Sequence, residues 1–197
     1  TDAGAVYLYD TSDGDLWDLD ATFTGTTSEA NFGLALIAGQ DVNTDGIGDV
    51  LIGSRLPPDT WQLRIFYGSN GGFSGTLDDT AADATVSGGM TEVDDRLVLS
   101  FAPDLNSDGS AELLIGTPDD GVDDTGMAYL IMSRLDWDGL VFGSAEVQFL
   151  PYGSPDEHLG LSLGPIGDMV GGASQDFQVS APGYDGPGTG IGRTYIY

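Results

Sequence analysis

A stretch of aspartates and glycines comes round three times in this chain, and its spacing constrains the fold more than any other feature. Residues 41 to 54 read DVNTDGIGDVLIGS, residues 104 to 118 read DLNSDGSAELLIGTP, and residues 168 to 182 read DMVGGASQDFQVSAP. The leading aspartates Asp41, Asp104 and Asp168 stand 63 and 64 residues apart. Each stretch follows a short apolar run: FGLAL (32 to 36), RLVLS (96 to 100) and LGLSL (159 to 163). Each is followed by a run rich in Tyr and branched residues: QLRIFYG (62 to 68), GMAYLIM (126 to 132) and GRTYIY (192 to 197), with GAVYLYD (4 to 10) as a fourth copy.

Short runs of strand composition between Gly-, Asp- and Pro-rich separators predict an all-β chain with almost no helix. A period near 63 with about four strands per unit predicts β-propeller blades, each a four-stranded antiparallel sheet. The strands of a unit are labelled A (the FGLAL type), B (VLIGS, 50 to 54), C (the Tyr-rich type) and D (DATFTG, 20 to 25; ATVSG, 84 to 88; AEVQFL, 145 to 150). The division expected is strands C and D of one blade in 1–30, whole blades in 31–90 and 91–152, and an incomplete blade A, B, C in 153–197. Propellers close with about four to eight blades, so about three blades' worth predicts an open segment of a larger propeller.

Charge narrows the partners. The chain of 197 residues carries 27 Asp, 5 Glu, 5 Arg and no Lys, for a formal charge of −27. Such a polyanion repels phosphate backbones and anionic lipid, which excludes nucleic acid and leaves cations, basic surfaces or neutral ligands. At 40% hydrophobic residues the chain still fills a core, so the acids belong on a folded surface or in loops. Cysteine is absent, which removes disulfides, Cys-ligated zinc and thiol catalysis. No apolar window is long enough to span a membrane.

The loops themselves carry the chemistry. DVNTDGIGD sets oxygen side chains at its first, third, fifth and ninth positions, Asp41, Asn43, Asp45 and Asp49. Calcium takes six to eight oxygens, from a loop that turns sharply at a Gly after the fifth position and offers a backbone carbonyl near the seventh. Gly46 and the Ile47 carbonyl fill those places. The second loop repeats the set with Asp104, Asn106, Asp108, the Ser110 carbonyl and Glu112, Gly109 being the turn. The third keeps Asp168 and Asp176 but has Val170 and Gly172 at positions three and five, so it is expected to be metal-free. Ile52 and Ile115 hold the twelfth position, where a helix-flanked calcium loop has its closing carboxylate. Both fall in strand B, which puts the two expected Ca2+ ions in turns between strands A and B.

This combination resembles the FG-GAP repeat, the blade of the integrin α-subunit propeller and of many bacterial surface and secreted proteins. Phe32-Gly33 matches the FG, Asp41 to Asp49 the cation loop, Ile52-Gly53-Ser54 the GAP position, and Gly4 to Tyr9 strand C. The second loop's unit departs, with Asp95-Arg96 for FG and Gly116-Thr117-Pro118 for GAP; the third keeps Leu159-Gly160 and Ser180-Ala181-Pro182. The resemblance implies a calcium-binding propeller in an extracellular or cell-surface bacterial protein. It implies an adhesion or interaction scaffold without catalysis, with a protein as partner.

Signals of catalysis are weak beside this. Gly160-Leu161-Ser162-Leu163-Gly164 has the letters of a nucleophile elbow, yet the only histidine, His158, precedes Ser162, and Ser162 falls within strand A. His158 is expected to be a solvated loop residue. No particular carboxylate pair stands out among 32, and Gly183 to Gly192 reads as a turn between strands B and C. Trp17, Trp61 and Trp137 lie in or beside connections; packing between blades is their expected role, with a carbohydrate ligand as the other use of such rings. The rival functions are an accessory propeller domain of a larger secreted enzyme and a structural subunit of a multi-protein surface assembly.

Overall fold

The computed structural model describes residues 3–10, 17–57, 60–89, 96–141, 147–149, 154–172, 175–186 and 190–197. In chain order its strands are β1 (Ala5–Asp10), β2 (Asp18–Thr24), β3 (Ala35–Ala38), β4 (Val50–Leu56), β5 (Thr60–Phe66), β6 (Gly75–Asp78), β7 (Ala84–Gly89) and β8 (Val98–Ala102). There follow β9 (Glu112–Thr117), β10 (Met127–Ile131), β11 (Leu140–Val141), β12 (Val147–Phe149), β13 (Leu163–Gly167), β14 (Asp176–Ala181) and β15 (Arg193–Ile196). The one helical element among the described residues is a single 3-10 turn, Asp79–Ala81. The all-β expectation holds. No helix of the described residues is long and apolar enough to cross a membrane.

The strands form four sheets, with orders β1-β2-β6, β11-β7-β5-β4-β3, β12-β10-β9-β8 and β13-β14-β15. Within them the A, B, C and D strands of each repeat pair in sequence as an antiparallel meander. Two short strands fall outside that pattern. β6 pairs parallel with β2, and β11 pairs parallel with β7. The connection between strands C and D of one repeat thus reaches back and adds a strand to the sheet before it. The four-strand expectation is corrected here: the second sheet has five strands. Parallel pairing with a strand tens of residues away leaves no local signal in segments as short as GTLD and LV.

Three apolar cores fill the spaces between successive sheets. Ala21 and Phe23 of the first sheet meet Phe32, Val50, Ile52 and Phe66 in one. Leu51, Trp61, Leu63, Ile65 and Val86 meet Leu113, Ile115 and Ile131 in the second. Leu114, Ala128 and Leu130 meet Phe177, Val179 and Ala181 in the third. Alternate residues of β4 and β9 therefore enter opposite cores, which is why VLIGS and LLIG read as unbroken apolar runs. Gly53 keeps such a face flat, since a Cβ there would stand 2.6 Å from Leu97 Cδ2.

Strand A starts later than the sequence predicts, at Ala35, Val98 and Leu163. Phe32-Gly33 is a turn instead. Gly33 takes φ +94°, and its N–H and that of Leu34 both donate to Gly53 O at 3.0 and 3.1 Å. Leu159-Gly160 repeats the turn, with Gly160 at φ +93° donating to Ser180 O at 2.9 Å. Arg96 occupies the corresponding place in the second loop's unit, where only glycine takes the left-handed region freely; its N–H donates to Asp119 Oδ2 at 3.2 Å. Asp95 lies outside the described residues, as do Ala145, Glu146 and Leu150 of the expected D strand.

Candidate metal centre

All three Asp-rich loops join strand A to strand B, between β3 and β4, β8 and β9, and β13 and β14. Ile52 and Ile115 lie inside β4 and β9, as the twelfth-position argument requires. The first two loops are wound alike. Asp41 accepts the N–H of Asp45 at 3.1 Å and of Gly46 at 2.6 Å, one on each carboxylate oxygen. Asp104 accepts Asp108 at 3.1 Å and Gly109 at 2.9 Å in the same way. Asn43 and Asn106 accept the fifth-position N–H through Oδ1 and donate through Nδ2 to Asp45 and Asp108, at 3.0 and 2.8 Å. The fifth-position carboxylates accept from Ile47 N and Ser110 N, at 2.8 and 2.9 Å. Gly46 and Gly109 make the sharp turn at φ +89° and +96°.

The ninth position behaves differently. Asp49 and Glu112 are fully buried, and their oxygens face the hairpin. Asp49 accepts Val42 N and Gly68 N, each at 2.8 Å. Glu112 accepts Leu105 N at 3.0 Å, Asn106 N at 3.3 Å and Ser133 N at 2.7 Å. Each ties its loop to the residue two past the end of strand C. Burial pushes the Asp49 carboxyl above the usual range, the Gly68 and Val42 amides pull it back, and the charges of Asp45 and Asp41 push it up again. The Ser133 hydroxyl, 2.6 Å from Asp108 Oδ2, is the main reason that Asp108 is held low. Gly68 and Ser133 were not legible as loop partners from sequence; their shared place after strand C is the only signal.

The structure thus brings positions one, three and five together in a hydrogen-bonded knot and turns position nine toward the strands. Among the described residues no three His, Cys, Asp or Glu side chains converge as a metal cluster. The donor set on positions one, three and five is all oxygen, amide and carboxylate, and each carboxylate oxygen that accepts one N–H keeps a further lone pair. That chemistry fits a hard cation and does not fit a soft one.

The third loop lacks the knot. Asp168 accepts Gly171 N at 2.6 Å, and Asp176 accepts Met169 N at 2.6 Å and Val170 N at 2.9 Å.

Of the other residues singled out, Trp61 and Trp137 are fully buried in the second core, and Trp61 is the second residue of β5, beside a connection. Trp137 Nε1 donates to Val42 O at 2.8 Å, bracing the first loop. Trp17 is exposed, edge-on to Tyr9. His158 is corrected: it is half-buried, its Nδ1 lying 3.2 Å from Pro118 O and 3.3 Å from Asp119 Oδ1. Ser162 ends the turn before β13, its N–H donating to Ser180 Oγ at 2.8 Å. Set against known proteins, the chain matches no family model and no curated protein.

Proposed function

We propose that the chain is a calcium-stabilised, FG-GAP-type β-propeller segment that acts as a non-catalytic interaction scaffold on a secreted or cell-surface protein. The observation that carries this reading is the common winding of positions one, three and five in 41–49 and 104–112 around an all-oxygen donor set, at the same A–B turn of two successive sheets. Asp41, Asn43, Asp45, the Ile47 carbonyl and Asp49 would hold one Ca2+ ion; Asp104, Asn106, Asp108, the Ser110 carbonyl and Glu112 would hold the other. Bound calcium supplies positive charge where carboxylates crowd, and so locks the A–B turn. Face-to-face stacking of the four sheets supports the propeller architecture. The outward face of the first sheet, with Tyr7, Tyr9 and Leu19 exposed, supports a protein partner, since aromatic residues concentrate at such contacts.

The test is thermal melting of the full chain in excess Ca2+ and in excess chelator, with terbium luminescence to count sites. Two sites and a melting temperature lowered by the chelator are expected. An unchanged melting temperature, or no terbium signal, overturns the reading.

A further inference from the structure

The chain buries a carboxylate where its own repeat buries a methyl group. Aligning Leu159-Gly160 with Phe32-Gly33 in sequence pairs Glu157 with Ala30, and the backbone agrees: Asp156 and His158 take φ +60° and +51°, Glu29 and Asn31 +66° and +50°. Ala30 is 3% exposed and Glu157 2%; the intervening unit has Val93 at this place. Glu157 Oε2 is buried and has no hydrogen-bond partner among the described residues. A buried carboxylate oxygen without a hydrogen bond is costly to folding, and its presence at a position that is otherwise apolar points to a ligand.

Glu157 lines a cavity of about 380 Å³ together with Ser154, Pro155, Tyr184, Asp185 and Gly186. The wall is well fixed. Gly183 N donates to Glu157 O at 3.1 Å and Gly192 N to Tyr184 O at 3.0 Å. A Cβ on Gly183 would collide with Asp156 O. The Arg193 guanidinium stacks 3.5 Å from the Tyr184 ring centroid and donates to Tyr195 Oη at 3.4 Å; it feels the Glu157 charge but makes no hydrogen bond to Glu157 Oε2.

The missing partner is positively charged, because an oxygen-only acceptor at the end of a buried side chain calls for a donor. A hard divalent ion needs six to eight oxygens, and the lining has two carboxylates, one of which, Asp185, accepts Gly190 N at 2.5 Å. The remaining described wall is the Tyr184 ring, Pro155, Gly186 and Ser154, whose hydroxyl adds one oxygen, still short of such a set; the volume suits a group on an alkyl stem. An ammonium brings three donors in a compact charge, and an aromatic edge and an acidic surface both favour it. We propose that this cavity receives a primary ammonium group, carried by a lysine side chain or a small free amine, with Glu157 as its counter-ion. This site does not depend on the calcium loops.

The experiment is an NMR titration of the full, calcium-saturated chain with Nα-acetyl-lysine methylamide, with butylammonium chloride, and with the norleucine analogue that lacks the charge. Saturable shifts confined to the Glu157 carboxyl and the amides of 154–158 and 183–186 are expected with the two ammonium probes, and the tighter of them identifies the source. Glu157→Gln keeps the shape, should weaken binding at least tenfold, and should raise the melting temperature by a few degrees by discharging the buried group. The proposal is overturned if neither ammonium probe shifts these signals, if the norleucine analogue does so equally, if E157Q binds as well, or if E157Q melts lower.

Discussion

The loops at 41–49 and 168–176 close in the same way and differ in what they enclose. In both, a buried ninth-position carboxylate holds the N–H of the second residue, Val42 to Asp49 at 2.8 Å and Met169 to Asp176 at 2.6 Å. In both, the fourth residue is left-handed, Thr44 at φ +66° and Gly171 at φ +80°. Between these fixed points the first loop has Asn43 and Asp45, the third Val170 and Gly172. The closing carboxylate is therefore a part of the hairpin in its own right, and the donors at positions one, three and five are an addition to it. The addition carries strain. Thr44 pays a steric cost at positive φ that Gly171 avoids, and Asp41 and Asp45 sit close enough to raise the Asp49 carboxyl.

The hardest blow to this comparison falls on the closing carboxylate. Asp49→Ala leaves the buried Val42 N and the half-buried Gly68 N without their acceptor, and at about 1–3 kcal/mol for each orphaned donor the loss should reach about 2–6 kcal/mol. Asp176→Ala releases Met169 N and Val170 N, on residues 64% and 70% exposed, so water replaces part of the carboxylate and the cost should be smaller but still measurable, although its loop has no ligand set. Urea unfolding in excess chelator measures both. Were D176A harmless while D49A is severe, the shared role of the ninth position would be lost, and Asp49 would matter through the ion alone.

A smaller change sharpens the other half. Val170→Asn, Gly172→Asp and Ala173→Gly together rebuild the donor set on the third loop. Val170 is 70% exposed and a Cβ on Gly172 meets nothing within 4 Å, so two of the three substitutions meet no packing obstacle. Terbium titration should rise from two sites to three. At a calcium concentration of about 100 times the dissociation constant, the added site should contribute about 2.7 kcal/mol of calcium-dependent stability. An unchanged count would mean that winding, rather than donor identity, separates the loops.

The loops and the B strands were legible because they carry their signal locally: Asp, Asn and Gly at fixed offsets, then four apolar residues that a two-sided burial requires. Strand A was misplaced by about three residues because Phe32 is apolar for a different reason. It is anchored in the first core from a turn, its N–H donating to Ala3 O at 2.9 Å. The β6 and β11 additions were illegible because their partners are fixed only by the stacking of sheets. Glu157 carries no signal in the letters SPDEH, where it is one more acid in an acidic chain; only its burial, beside that of Ala30 at the matching place, exposes it as an anomaly.

The smallest expected effect concerns Arg96, which stands where Gly33 and Gly160 make their turns. Those glycines bond to backbone carbonyls, and their contribution does not titrate. Arg96 instead grips Asp119, Nε donating to Oδ2 at 2.6 Å, and this hydrogen bond is the main reason that the Asp119 carboxyl is held below the usual carboxylate range. A carboxyl lowered in the folded state adds stability that is fully present above the unfolded value of about 3.9 and is lost as pH falls through the lower folded value. Arg96 is half exposed, so solvent screening limits the pair to about 0.5–1 kcal/mol. Asp119→Asn should therefore be destabilised by that amount at pH 7, and the gap to the parent chain should close as urea titrations are carried down through the carboxylate range. A gap that stays constant with pH would assign the effect to packing, and would leave the Arg96 position as insensitive to pH as the glycine turns at the matching places of the other two repeats.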